Sequence, residues 1–280
     1  MNDIRLIASD VDGTILPRGG VISQRLRRAV ERCRARGIPF IIASGRWIGA
    51  LGEVREQSGA EGWPVIVANG AAVIGAGNIP LKEWLIDDFD TRRVYDILRG
   101  FDVQINAYLR NALYCLNTRA LKRPSILLKN YIGGQGHKLV MDDKAAFESE
   151  ALTHAYKLEA LSEEPALVAA VKEALAHTGL TITHSSARNV EIMAAGVGKG
   201  EALKWLAASM SIPLEGCMAF GDNMNDGDLL SAVGWPVAMG NADPALKEQA
   251  RIVAPADMED GVAQVIEAYV FQDEKDQREV

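Results

Sequence analysis

Asp10-Val11-Asp12-Gly13-Thr14 directly follows the apolar run Ile4-Arg5-Leu6-Ile7-Ala8-Ser9. A run of that length reads as a buried strand over 4–9. Two carboxylates one residue apart then stand where the strand ends, and Gly13 lets the chain turn sharply. Open α/β sheets bind their ligands outside the carboxyl ends of strands. One acid there can be an anionic nucleophile and metal ligand, the other a general acid/base. Taken alone, the same five residues also describe a solvated Asp-Gly turn.

Three further segments bear on that choice. Ser44-Gly45-Arg46 follows the run Ile38 to Ala43. A hydroxyl and backbone N–H groups at such a turn can hold a phosphate oxygen, and Ser44 equally suits an ordinary helix N-cap. Lys199 stands in Gly196-Val197-Gly198-Lys199-Gly200, just before an amphipathic stretch. Cations favour the other end of a helix, so this lysine is either a surface residue or a functional charge. The segment fails as a P-loop at Gly200 and as a dinucleotide fingerprint at Glu201. Gly221-Asp222-Asn223-Met224-Asn225-Asp226 follows the run Cys217-Met218-Ala219-Phe220. A third strand thus ends in oxygen donors, the ligands that hard cations such as Mg²⁺ prefer. Neither acidic loop is an EF-hand, because Val21 and Val233 stand where the bidentate Glu belongs.

In this order the four segments resemble the motifs of the haloacid dehalogenase (HAD) superfamily of aspartyl phosphotransferases. The fuller wording, with Ile15-Leu16 after the first motif, Ala43 before Ser44 and Asn69-Gly70-Ala71 between, resembles the Cof-type phosphatases with a large inserted cap. The resemblance spans residues 4 to about 255. It implies that Asp10 attacks phosphorus and forms an aspartyl-phosphate. Asp12 would protonate the leaving alcohol and then deprotonate the hydrolytic water. Mg²⁺ would be held by Asp10, the Asp12 backbone carbonyl and Asp222, with Lys199 adding a second positive charge at the phosphate. Ser44, the Gly45 N–H and Asn225 would contact the phosphate. Thr14 would orient the phosphate or the loop, and Asp226 would orient Lys199 or the water shell of the metal. Asp12 also separates classes inside the superfamily, since ion-pumping relatives carry Thr there and dehalogenases lack the second acid.

The 280 residues suffice for about two domains. A net charge of −7 gives no reason to expect nucleic-acid or anionic-membrane partners. No apolar run approaches the roughly 20 residues of a membrane span, and the first strand begins at once, without an evident secretory leader. Cys33, Cys115 and Cys217 are far apart and odd in number, which suits a reduced, cytoplasmic chain. His137, His154, His177 and His184 show no ligand spacing. The arginines between Arg25 and Arg36 read as a solvated helix face.

Strands are expected at 38–43, 64–68, 217–220 and 236–239. Helices are expected at 23–36, with Ser23 as N-cap and Gly37 as stop, and at 199–211, 224–233 and 260–271. This alternation implies an α/β fold with a doubly wound parallel sheet. Residues 82–189 break the pattern with alternating strands (103–108, 112–117) and helical stretches (91–99, 165–177). They are expected to form an inserted α+β cap between core segments 1–81 and 190–280, with crossings near 80–84 and 186–192. The tail from Gln272 is expected to fray. The functional expectation is a Mg²⁺-dependent phosphatase acting on a small phosphorylated metabolite. A sugar-phosphate mutase or phosphotransferase and a non-catalytic phosphometabolite-binding protein are the alternatives.

Overall fold

A computed structural model describes residues 3–121 and 137–272. The expected frayed tail lies, apart from Gln272, outside the described residues. Two sheets organise the chain. The larger runs, in spatial order, β14 (Ile252–Val253), β13 (Trp235–Ala238), β12 (Cys217–Gly221), β1 (Leu6–Ser9), β2 (Phe40–Ala43), β3 (Val65–Val67), β4 (Ala72–Ile74) and β5 (Pro80–Glu83). From β14 to β3 every pairing is parallel. Helices cover these strands, and β1, β2, β3 and β12 are buried along their whole length. That is why they read as continuous apolar runs rather than alternating ones.

The helix Gln24–Ala35 is capped by Ser23, whose side chain accepts from the Leu26 N–H, and the chain leaves it through Gly37 at φ +71°. Several arginines of this segment are engaged locally. Arg25 pairs with Glu267 at 2.6 Å, and Arg32 and Arg36 lie over the Phe271 ring.

Two features depart from the sequence reading. β4 and β5 extend the sheet antiparallel to β3, so the edge is mixed rather than purely parallel. Val73 and Ile74 are too short a run to announce a strand, and the hairpin forms because β3 offers them an open edge. The 224–233 helix is broken into a 3-10 turn, Met224–Asp226, and the helix Gly227–Ser231. The break lets Asp226 turn its carboxylate back onto the loop.

The smaller sheet runs β10 (Thr181–Thr183), β11 (Asn189–Met193), β9 (Lys157–Leu161), β6 (Gln104–Tyr108), β7 (Ala112–Leu116) and β8 (Lys138–Met141). One face packs on the helices Asp88–Leu98 and Pro165–Leu175 and forms a second apolar core. Lys82 and Glu83 pair in the larger sheet, whereas Asn189 belongs to the smaller one. We therefore propose that the insertion spans 84–194, with its crossings at 84–87 and 194–198 rather than near 80–84 and 186–192.

Candidate active site

β12, β1 and β2 are neighbours in register, so their carboxyl ends meet at one edge. The chain leaves them at Asp222, Asp10 and Ser44. β1 lies between a strand from each end of the sequence, which makes this the place where strand order reverses and a crevice opens.

Asp10 is 6% exposed and accepts from the Lys199 Nζ at 2.6 Å. The same ammonium donates to Asp226 Oδ1 at 2.6 Å. Asp226 Oδ2 accepts from the backbone N–H groups of Asp222 and Asn223 at 3.0 and 3.1 Å. Thr14 donates its hydroxyl to Asp222 Oδ1 at 3.1 Å. Gly13 stands at φ +84°, and a Cβ there would lie 2.4 Å from Asp222 Oδ2. The glycine is required by both backbone conformation and the close approach of the carboxylate.

Ser44, Gly45 and Asn225 form the other wall. The Ser44 hydroxyl accepts from the Arg46 N–H at 3.1 Å. A Cβ on Gly45 would meet Asn69 Oδ1 at 2.7 Å. Asn69 is buried at φ +56°, a conformation asparagine tolerates. It accepts from Asn225 Nδ2 at 3.4 Å, while its own Nδ2 is buried without a partner. Asp12 is the exposed member of the set, held by Arg46 through Nε at 2.8 Å and Nη2 at 2.5 Å.

Asp10, Asp12, Ser44, Gly45, Asp222 and Asn225 line one cavity of about 460 Å³. Thr14, Lys199 and Asp226 lie behind its wall, fully or nearly fully buried. Thr14 donates to Asp222, and Lys199 to Asp10 and Asp226. The smaller sheet closes the cavity from above. Lys157 donates to the Gly45 carbonyl at 2.9 Å, Asn223 to the Ser185 carbonyl at 2.8 Å, and Trp47 to the Leu109 carbonyl at 2.8 Å.

The electrostatics favour a cation. Burial pushes Asp10 well above the ordinary carboxylate range, and the carboxylates of Asp226, Asp222 and Asp12 push it further, against the pull of Lys199. Burial, reinforced by Asp226, raises Asp222 to about 6 despite the Thr14 hydrogen bond. Lys199 is opposed by burial, but Asp10 and Asp226 outweigh it and hold the ammonium protonated. Oxygen ligands from Asp10, Asp222 and Asp226 lie within 4.8 Å of one another. One ammonium does not balance three buried carboxylates, and a hard divalent cation fits such an all-oxygen set. Asp226 has both oxygens engaged, which leaves Asp10 and Asp222 as the side chains free to turn toward a metal.

Sequence reasoning missed Arg46 as the partner of Asp12, Asn69 as the support of Asn225, and the whole ceiling. A signal for the ceiling existed. Asn106 and Tyr108, Lys157 and Glu159, and Asn189 and Glu191 are polar at every second position of their strands. Alternation of that kind ordinarily marks a solvated sheet face.

The parallel sheet, the acids at its switch point and the sheet closing over them define a class of hydrolase. The family model of the haloacid dehalogenase-like hydrolases matches residues 7–266, and the chain belongs to that family. It is an enzyme of the HAD hydrolase class, and its named relatives are phosphatases. The 5-amino-6-(5-phospho-D-ribitylamino)uracil phosphatase YcsE of Bacillus subtilis (strain 168) is 26% identical over 269 residues, 96% of this chain and 97% of its own. The HMP-PP phosphatase of Yersinia pseudotuberculosis serotype O:1b is 30% identical over 247 residues, 88% and 87% of the two chains. A solved haloacid dehalogenase-like hydrolase from B. subtilis superposes with TM-score 0.80 at 28% identity, covering 94% of this chain and 99% of that one. Among the described residues no helix is long and apolar enough to cross a membrane.

Proposed function

We propose that the chain is a Mg²⁺-dependent phosphatase that releases inorganic phosphate from small phosphorylated metabolites through an aspartyl-phosphate on Asp10. The observation that carries this reading is the placement of Asp10. It ends β1 beside Lys199, 2.6 Å away, at the floor of a roofed cavity of about 460 Å³.

A phosphate monoester is anionic and is repelled by a carboxylate nucleophile, so the site must first neutralise it. A bound Mg²⁺ near Asp10 and Asp222 supplies charge neutralisation and phosphate orientation. Lys199 favours the ionised form of Asp10 against the burial that opposes it. The Asp10 carboxylate attacks phosphorus and the bond from phosphorus to the leaving oxygen breaks. Asp12 gives that oxygen its proton. Asp12 then takes a proton from water as the water attacks phosphorus, and the bond to Asp10 breaks to release phosphate and the free carboxylate. Ser44, the Gly45 N–H and Asn225 hold phosphate oxygens. Thr14 sets Asp222, and Asp226 sets Lys199. The ceiling narrows access to the cavity and leaves room for small substrates. Three buried free cysteines are in keeping with a reducing compartment, and we place the enzyme in the cytoplasm.

The test is phosphate release from a panel of phosphorylated metabolites with Mg²⁺ and with EDTA, for the native enzyme and Asp10→Asn. Native activity that vanishes in EDTA, and an inactive folded Asp10→Asn, are expected. Substantial turnover by a clean Asp10→Asn preparation would refute the aspartyl-phosphate. An isomeric ester in place of free phosphate would make the enzyme a phosphotransferase.

A further inference from the structure

The ceiling of the cavity carries its own chemistry. β6, β9 and β11 pair so that Asn106 stands opposite Glu159, Tyr108 opposite Lys157, and Glu191 opposite Glu159. The alternate residues, such as Leu158, Ala160 and Ile192, bury themselves in the second apolar core. The polar face therefore turns to the cavity, which Tyr108, Lys157, Glu159 and Glu191 line although each is almost fully buried.

These groups are not equivalent. Glu159 is saturated: Oε1 accepts from Asn189 at 2.9 Å, and Oε2 from Asn106 at 3.1 Å and the Tyr108 hydroxyl at 2.5 Å. The Lys157 ammonium is spent on Glu191 Oε1 at 2.5 Å and on the Gly45 carbonyl. Glu191 Oε2 is buried with no hydrogen-bond partner, on a residue only 2% exposed. Leaving a buried acceptor unsatisfied is costly, the more so for a charged group. Such an oxygen in a ligand cavity is an acceptor awaiting a donor. The ceiling also sets two carboxylates against one ammonium. Among the described residues, the other cations on the cavity wall are Arg46, bidentate on Asp12, and Arg18, exposed to solvent.

We propose that Glu191 determines specificity, accepting a hydrogen bond at Oε2 from a hydroxyl or ammonium of the leaving group. The substrates are then phosphate monoesters of neutral polyols or amino alcohols, and esters with a second anionic group beneath the ceiling are rejected. This rests on the phosphatase reading, which puts the phosphate at Asp10 and the leaving group toward the smaller sheet.

The test compares matched esters with native enzyme and Mg²⁺: glycerol 3-phosphate against 3-phosphoglycerate, and a hexose 6-phosphate against the hexose 1,6-bisphosphate. The member of each pair with a single anionic group is expected to show kcat/KM about ten-fold higher or more. Glu191→Gln should shrink that ratio, chiefly by raising KM for that member. Native preference for the members with a second anionic group would overturn the proposal, and this arm stands whether or not the variant folds. A folded Glu191→Gln with an unchanged ratio would overturn the assignment to Glu191. Phosphate release from para-nitrophenyl phosphate separates the two levels. Release there with the anionic esters favoured defeats this inference alone, whereas no release from any ester defeats the phosphatase reading and this inference with it.

Discussion

Replacing Lys199 by Met removes a cation that stands 2.6 Å from both Asp10 and Asp226, all three side chains being buried. The methionine keeps the length of the side chain, so the loss is chiefly electrostatic. Opposite charges centred about 4 Å apart, at an effective dielectric constant of about 20, attract by about 4 kcal/mol. Asp10, already pushed up by burial and three neighbouring carboxylates, then loses the one neighbour that pulls its pKa down, so its pKa rises further. The acid limb of the pH–rate profile should move upward, and kcat/KM at pH 7 should fall by about 10²–10³ or more, as for loss of one transition-state stabilising group. Stability should drop by about 3–5 kcal/mol, the cost of stripping one partner from a buried ion pair. In the native enzyme the Lys199 contribution is present below its unfolded pKa and lost only as pH rises through its still higher folded value. It is therefore constant across pH 5–9 and does not blur the comparison. Initial rates of phosphate release from pH 5 to 9, with a urea melt of both proteins, provide the measurement. Near-native kcat/KM with an unmoved acid limb in Lys199→Met would show that the lysine neither ionises the nucleophile nor assists the transition state.

Because Asp222 rises to about 6 in the metal-free protein, the native state holds a proton that the unfolded state has lost between about pH 4 and 6. Stability from this group therefore falls as pH rises through that window, and a bound cation competes with the proton. The Mg²⁺-induced rise in Tm should be large at pH 7.5 and shrink below pH 6, and a shift independent of pH would exclude Asp222 from the metal site. Gly13→Ala forces a Cβ to within 2.4 Å of Asp222 Oδ2 at φ +84°; a loss of about 1–3 kcal/mol and weaker Mg²⁺ binding by calorimetry are expected, and retained affinity would refute the close-approach argument. Arg46→Ala frees Asp12 from its bidentate clamp and should lower kcat about 10²-fold through misplacement of the acid, with the Mg²⁺ concentration for half-activity unmoved. An unchanged kcat would mean that Asp12 positions itself.

By itself the sequence determined what is local. Continuous apolar runs marked β1, β2, β3 and β12 because strands covered on both faces need no alternation. The acids, the serine and the lysine were legible because each follows such a run or opens a helix with little intervening chain. The hairpin edge of β4 and β5 was not legible, since its strands are short and borrow stability from β3. Only tertiary structure decided the partnerships. Asp10 and Lys199 are 189 positions apart, and nothing near either one says that the ammonium serves two carboxylates rather than solvent. The ceiling shows the same limit. Polar residues at every second position of β6, β9 and β11 fix the face they share, but the same alternation suits a sheet wet on one side. The smaller sheet lays that face over the ends of β1 and β2, taking it out of water. That burial gives Glu191 an unpartnered oxygen and turns a solvated pattern into a recognition surface.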